Sequence, residues 1–183
     1  SDVYKRQLAS RGIEVPEGNA DDNADQDTIH GLGARKNEDF LKLVEEGVQA
    51  YEGSVQLLDA IRDRAAAGEK APQIAIVSSS KNARPVLKAA GLLDRFEVVV
   101  DGKVASEKNL PGKPAPDTYL YGAQQLGASA ENAVVVEDAT SGVASGKAGK
   151  FGLVIGVDRG AGAEALREHG ADLVVDDLAD LLG

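Results

Sequence analysis

The chain contains no cysteine, no tryptophan and no methionine, and aromatic residues make up only 4% of its 183 residues. Without cysteine it can form neither disulfides nor zinc–thiolate centres, and thiolate catalysis is excluded. Since aromatics are scarce, the core must consist of valine, leucine, isoleucine and alanine. Hydrophobic residues reach 43% of the chain, which is enough for one domain or for one domain with a small appendage.

Positive charge is also in short supply, with 20 basic against 30 acidic residues and a net charge of −10. No basic stripe offsets this excess, so we expect neither nucleic acid nor an anionic membrane as a partner. No apolar run reaches the roughly 18 residues of a membrane span, and no signal peptide opens the chain. The default expectation is therefore a cytoplasmic protein, and an anionic substrate would need a local cluster of positive groups.

From residue 74 onward, short apolar runs alternate with amphipathic segments. Strands separated by helices predict right-handed crossovers and an α/β fold, a Rossmann-like parallel sheet with helices on both faces. Before that point we predict a helix over 37–48 and a second one capped by Ser54. The predicted strands are 74–77, 96–100, 134–136, 153–157 and 173–175, and the predicted helices between them are 81–91, 114–126 and 162–169, with 103–112 as a loop.

Two adjacent carboxylates, Glu137 and Asp138, follow the apolar run Val134 to Val136 and precede a helix start. A run without alternation predicts a strand buried on both faces. Ligands of parallel sheets bind just beyond the carboxyl ends of the strands. The acid pair is therefore a candidate Mg²⁺ site, although Asp138 could instead only cap the next helix.

Other polar groups follow other strands: the serines 78–80, Asp101 and Asp158, with Lys113 in a loop before a helix. A hydroxyl, an ammonium and a metal-binding acid pair suit phosphoryl transfer, which needs positioning and cancellation of charge. Each group also has a structural explanation. The serines could form only a turn and cap, Lys113 could be a solvated surface lysine, and Asp158 could pair with Arg159.

The chain contains, in this order, the segments IAIVSSSKN, GKPAPD and VVVEDATSGVASGKAG, preceded by ARKNEDF and YEGSVQLLDAIR. In this order and spacing the three segments resemble motifs II, III and IV of the haloacid dehalogenase superfamily, and most closely those of its β-phosphoglucomutase-like subfamily, which the two preceding segments also support. The resemblance covers roughly residues 34 to 158. It implies a partial helical cap over residues 1–50 and a haloacid dehalogenase-like α/β core over 51–183, in a parent protein expected to be a monomer.

The resemblance also implies chemistry through an aspartyl-phosphate, in which an aspartate attacks the phosphoryl group and a second acts as acid and base. Ser78 would bind the phosphoryl oxygens, and Lys113 would neutralise charge between nucleophile and phosphoryl group. The metal and substrate residues would be Glu137 and Asp138 for Mg²⁺, Ser80, Lys81 and Asn82 for a second phosphate of the sugar, and Lys36 on the cap.

One motif of that family has no counterpart, namely the DxD at the end of the first strand. Asp25-Gln26-Asp27 has the letters but lies in an acidic loop after no apolar strand. We therefore expect a fragment without its N-terminal part, including the central strand, and catalytically inactive alone. The strands ending at Ser78 and Glu137 would then either stand about 10 Å apart, twice the usual strand spacing, or collapse and pair.

The function expected from the resemblance is Mg²⁺-dependent interconversion of β-glucose 1-phosphate and 6-phosphate through a bisphosphate. A sugar-phosphate phosphatase is the first alternative, because mutase and phosphatase differ in whether the cap excludes water. A non-catalytic α/β interaction module is the second, since a fold alone does not establish a function.

Overall fold

The computed structural model describes residues 9–182 of the chain. The chain divides into two compact units between Val48 and Gln49, two residues before the boundary placed from the sequence. The identification of the smaller unit as part of a helical cap remains a prediction.

The smaller unit contains helix α1, Ile29–Glu45. It begins eight residues earlier than the hydrophobic spacing predicted, because Thr28 provides an N-cap: its Oγ1 accepts from the Gly31 N–H at 2.9 Å. Since a side-chain acceptor satisfies one of the free N–H groups of the first turn, it fixes where a helix starts. Ile29 and Val44 are buried.

The larger unit follows the predicted alternation of strands and helices, which confirms the α/β fold. The first helix precedes the first strand, and short 3₁₀ turns connect several later elements. In chain order the elements are α2 Glu52–Ala66, β1 Ala75–Val77, α3 Ala83–Ala89, β2 Val98–Val100, α4 Gly102–Glu107, α5 Asp117–Gln125, β3 Val134–Glu137, α6 Thr140–Ala148, β4 Leu153–Val157, α7 Ala163–Glu168 and β5 Leu173–Val175.

The strands form two parallel sheets, one of order β1–β2 and one of order β3–β4–β5. Val77 is in register with Val100, and Glu137 with Gly156. Within the described residues β1 and β3 do not pair with each other. Of the two outcomes predicted for these strands, the one in which they collapse together and pair is therefore not observed. Among residues 9–182, each of the two strands has a strand partner on one edge only.

Two sequence-based predictions of local structure were wrong. Residues 103–112 do not form one loop, because Asp101 caps α4: its Oδ1 accepts from the Lys103 and Val104 N–H groups at 3.0 and 2.9 Å. Ser54 does not cap α2, which begins two residues earlier, after Tyr51. The Ser54 hydroxyl instead accepts from Arg159.

The burial of β3 also differs from the prediction of a strand covered on both faces. Val135 is buried, whereas Val134 and Val136 on the opposite face are 56% and 41% exposed. By contrast, Val154 and Ile155 of β4 are both buried although they point to opposite faces. The apolar run of β3 therefore does not mean burial on both faces, because one of its faces is left largely uncovered by residues 9–182.

The main core of the larger unit lies between the three-stranded sheet and helices α5, α6 and α7. It consists of Tyr119, Val135, Val143, Val154 and Leu166. No helix among residues 9–182 is both long enough and apolar enough to cross a bilayer.

Candidate active site

Lys113 lies between the carboxyl ends of β1 and β3. Its Nζ donates to Glu137 Oε2 at 2.6 Å and to the Val77 carbonyl at 3.4 Å. Both side chains of the Lys113–Glu137 ion pair are only 11% exposed. The ammonium thus connects two strand ends that share no backbone hydrogen bond, directly beside Ser78.

Both oxygens of Glu137 are hydrogen-bonded. Oε2 accepts from Lys113 and from the Tyr119 hydroxyl, the latter at 2.5 Å. Oε1 accepts from the backbone N–H groups of Asp138 and Ala139 at 3.2 and 3.1 Å. The carboxylate therefore ties the start of the loop after β3 to Lys113 and to α5.

The close approach of α6 to Glu137 requires a glycine. A Cβ on Gly142 would overlap the Glu137 carboxyl group. Gly142, in the first turn of α6, thus makes room for the carboxylate.

Tyr119 is a residue of this site that the sequence reasoning missed. Its hydroxyl lies 3.0 Å from Lys113 Nζ as well as 2.5 Å from Glu137 Oε2, and Lys113 Nζ lies 4.5 Å from the ring centroid. The only signal in the sequence was its place on the first turn of the helix after GKPAPD, which is equally typical of a core aromatic.

These contacts shift the pKa values of three groups. Burial acts to raise the pKa of Glu137, but the hydrogen bond and charge of Lys113, with the Tyr119 hydroxyl, outweigh it and hold the pKa below 4.5. Burial and then the Glu137 charge raise the pKa of Tyr119 above its ordinary value, so the phenol stays a neutral donor. Burial, and then the hydrogen bond and charge of Glu137, raise the pKa of Asp138.

Asp138 carries the exposed carboxylate of the pair. Arg159, two residues beyond the end of β4, is near enough to oppose the rise in the pKa of Asp138. The guanidinium of Arg159 lies 3.7 Å from the Tyr51 ring centroid and donates to Ser54 Oγ at 2.9 Å. Arg159 is therefore fixed by the start of α2 and does not simply pair with its neighbour Asp158.

The serine loop after β1 is stabilised by its own hydroxyls and by the end of β2. Ser78 Oγ accepts from the Ser80 N–H at 3.2 Å, and Ser80 Oγ accepts from the Asn82 N–H at 3.1 Å. The Gly102 N–H donates to the Ser80 carbonyl at 3.0 Å. Lys81, between these residues, is exposed. The loop is a compact turn, as its structural explanation required. It begins at Ser78, whose backbone nitrogen is bonded to the Val77 carbonyl that Lys113 contacts.

Two other strand-end aspartates serve the backbone. Asp101 is 2% exposed and caps α4, with Arg84 Nε at 3.8 Å from its Oδ2. Asp158 Oδ1 accepts from the Gly160 and Gly162 N–H groups, which lower its pKa. Both carboxylates therefore stabilise the backbone turns that directly follow them.

Lys36 and the acidic loop belong to the smaller unit. Lys36 is exposed on α1, and its assignment to the substrate remains a prediction. Asp27 forms an ion pair with Arg35 at 3.2 Å. Asp25-Gln26-Asp27 precedes the N-cap of α1 and follows no strand among residues 9–24.

The acid pair offers hard oxygen ligands of the kind that Mg²⁺ prefers. Among residues 9–182, however, no group of three or more His, Cys, Asp or Glu side chains could hold a metal ion. The exposed carboxylate of Asp138 suits direct coordination of the ion. The two oxygens of Glu137, by contrast, already accept four hydrogen bonds between them. Mg²⁺ usually keeps several waters and binds through one or two carboxylates together with substrate phosphates, and this donor set is compatible with that arrangement.

Comparison with known proteins defines the class of this fold and site. A model of haloacid dehalogenase-like hydrolases matches residues 5–150, and the chain belongs to that family. β-Phosphoglucomutase of Mycobacterium tuberculosis is 48% identical over 180 residues, which cover 96% of this chain and 66% of that protein. The chain thus spans slightly less than two thirds of the length of this relative.

Phosphatases and a solved structure are also similar to the chain. Hexitol phosphatase A of Escherichia coli is 38% identical over 137 residues, 74% of this chain and 57% of that protein. A haloacid dehalogenase family hydrolase from Deinococcus radiodurans, with bound phosphate and sodium, has a TM-score of 0.65 and 30% identity and covers 98% of this chain and 84% of its own. The similar proteins thus include both a phosphoglucomutase and a phosphatase.

Proposed function

We propose that this chain carries most of the active site of a Mg²⁺-dependent phosphosugar phosphotransferase of the β-phosphoglucomutase type. The observation that supports it best is the position of Lys113 between the Val77 carbonyl and the Glu137 carboxylate, beside Ser78. A positive charge between a hydroxyl-bearing loop and an acid pair, at the carboxyl ends of two parallel strands, is what phosphoryl transfer requires.

In this proposal Ser78 donates to a phosphoryl oxygen and Lys113 compensates the charge that gathers on the phosphoryl group. Glu137 holds Lys113 in place and organises the backbone of Asp138, which projects the metal-binding carboxylate. Mg²⁺, when bound, would neutralise negative charge on the phosphoryl oxygens. Ser80, Lys81 and Asn82 extend the same loop and would hold the second phosphate of the sugar.

The attacking aspartate would come from a strand between β1 and β3, outside the described residues. The unpaired edges of these two strands support this step, because an open edge presents free N–H and C=O groups to a further strand. The chain alone should therefore bind a sugar phosphate without turning it over.

The test is a pair of assays with the chain, Mg²⁺ and β-glucose 1-phosphate. Calorimetry should show binding that is lost in Lys113→Met, while glucose 6-phosphate and inorganic phosphate should not accumulate. Failure to bind any phosphate compound would overturn the phosphoryl site, and turnover would overturn the proposed inactivity.

A chimera can separate mutase from phosphatase. The part of the mycobacterial β-phosphoglucomutase that this chain does not cover would be joined to it. Glucose 6-phosphate as the main product would support the mutase. Release of inorganic phosphate instead would favour the phosphatase that the similarity to hexitol phosphatase A suggests.

A further inference from the structure

Tyr119 occupies a position that its role in the core does not explain. Its ring packs with Val135 and Val143 and meets Phe151 edge-on, with the two centroids 6.0 Å apart. A phenylalanine would make the same ring contacts. The hydroxyl, however, reaches out of the core to the acid pair and contacts Glu137 Oε2 and Lys113 Nζ.

The hydroxyl holds the carboxylate from the side opposite to the metal-binding loop. Oε2 of Glu137 is fixed by Tyr119 and Lys113, while Oε1 receives the N–H groups of Asp138 and Ala139. The two donors on Oε2 restrain rotation of the planar carboxylate about its Cγ–Cδ bond. This restraint keeps Oε1 directed at the Asp138 and Ala139 N–H groups, and Tyr119 is the donor that α5 contributes to it.

We propose that Tyr119 is a positioning residue for the metal-binding edge: its hydroxyl orients Glu137, and through Glu137 the backbone from which Asp138 projects. Groups that orient metal ligands from outside the coordination sphere typically contribute 10–100-fold to metal affinity or activity. The metal part of this inference rests on the proposed function, whereas the ordering of the backbone does not.

Tyr119→Phe removes the hydroxyl and keeps the ring, so the core stays filled. The matched control is Tyr121→Phe on the same helix, since none of the hydrogen bonds described for residues 9–182 involves the Tyr121 hydroxyl. Hydrogen exchange should become faster at the Asp138 and Ala139 amides in Tyr119→Phe and remain unchanged in the control. Mg²⁺ affinity, measured by calorimetry with inorganic phosphate present, should fall about tenfold in Tyr119→Phe alone.

Each result decides a separate question. Unchanged exchange at both amides in Tyr119→Phe overturns the inference, as does unchanged Mg²⁺ affinity when the wild-type chain binds the ion. If the wild-type chain binds no Mg²⁺, the metal site of the proposed function fails, and the exchange rates alone then decide whether Tyr119 orders this loop.

Discussion

Replacing Glu137 by glutamine should destabilise the larger unit strongly, because it leaves the Lys113 ammonium without a counter-charge in a site where both side chains are 11% exposed. Removing one partner of a buried ion pair typically costs about 3–5 kcal/mol. The pair keeps a little solvent contact, so we expect the lower end, about 3 kcal/mol. For a chain of this size that corresponds to a fall in Tm of about 6–12 °C.

A double-mutant cycle shows whether the loss comes from the pair itself. Lys113→Met should also destabilise, since Glu137 then keeps only the Tyr119 hydroxyl and two backbone N–H groups. The double variant Lys113→Met/Glu137→Gln buries no unpaired charge. It should therefore be more stable than the sum of the two single changes predicts, by about 2 kcal/mol.

The assay is urea unfolding at pH 7, and an exposed ion pair provides the control. Lys42 and Asp39 on α1 lie 3.5 Å apart with 71% and 65% of their side chains exposed. Lys42→Met should cost less than about 1 kcal/mol. If Glu137→Gln costs no more than this control, or if the double-mutant cycle shows no coupling, the buried pair does not stabilise the site.

Three further predictions concern the same carboxylates. Gly142→Ala should lower the free energy of unfolding by about 2 kcal/mol and weaken Mg²⁺ binding, because its Cβ would overlap Glu137. The control is Gly33→Ala on α1, where a Cβ meets nothing within 4 Å. Thermal unfolding measures the stability of both variants. Asp138→Asn should raise Tm slightly while calorimetry shows loss of Mg²⁺ binding, because a raised pKa means that the ionised carboxylate disfavours folding. The depressed pKa of Glu137 gives stability that is present above its ordinary value of 4.5 and is lost as the pH falls through the folded value. The urea midpoint should therefore fall more steeply below pH 4.5 in wild type than in Glu137→Gln.

Each of these has an opposite result that would count against it. An alanine at position 142 that leaves both stability and Mg²⁺ binding intact would mean that α6 and Glu137 are not in close contact. A lower Tm in Asp138→Asn would mean that the carboxylate stabilises the loop. Identical acid profiles for wild type and Glu137→Gln would show that another group controls acid unfolding.

Much of the fold could be predicted because it rests on local patterns. The run Leu153 to Val157 was assigned with the bounds that the structure has, and so was Leu173 to Val175. Where a capping side chain decided the outcome, the sequence reasoning failed: Thr28 moved the start of α1, and Asp101 created α4. Both are single side-chain hydrogen bonds, which hydrophobic periodicity does not detect.

The exposure of β3 depends on its neighbours. Val134 and Val136 are apolar in the sequence whether or not another element covers them. The structure leaves them exposed because no element among residues 9–182 packs closely over that face of β3.

The sequence by itself determined that hydroxyls and carboxylates follow the ends of strands, with Lys113 in a loop before a helix, and parallel strands carry such groups at their carboxyl ends. Only the tertiary structure decided which of these groups meet. Lys113 and Glu137 are 24 residues apart, and their contact depends on the tertiary packing that seats α5 against β1 and β2. The same packing brings the hydroxyl of Tyr119 out of the core to the carboxylate, which no spacing in the chain could have indicated.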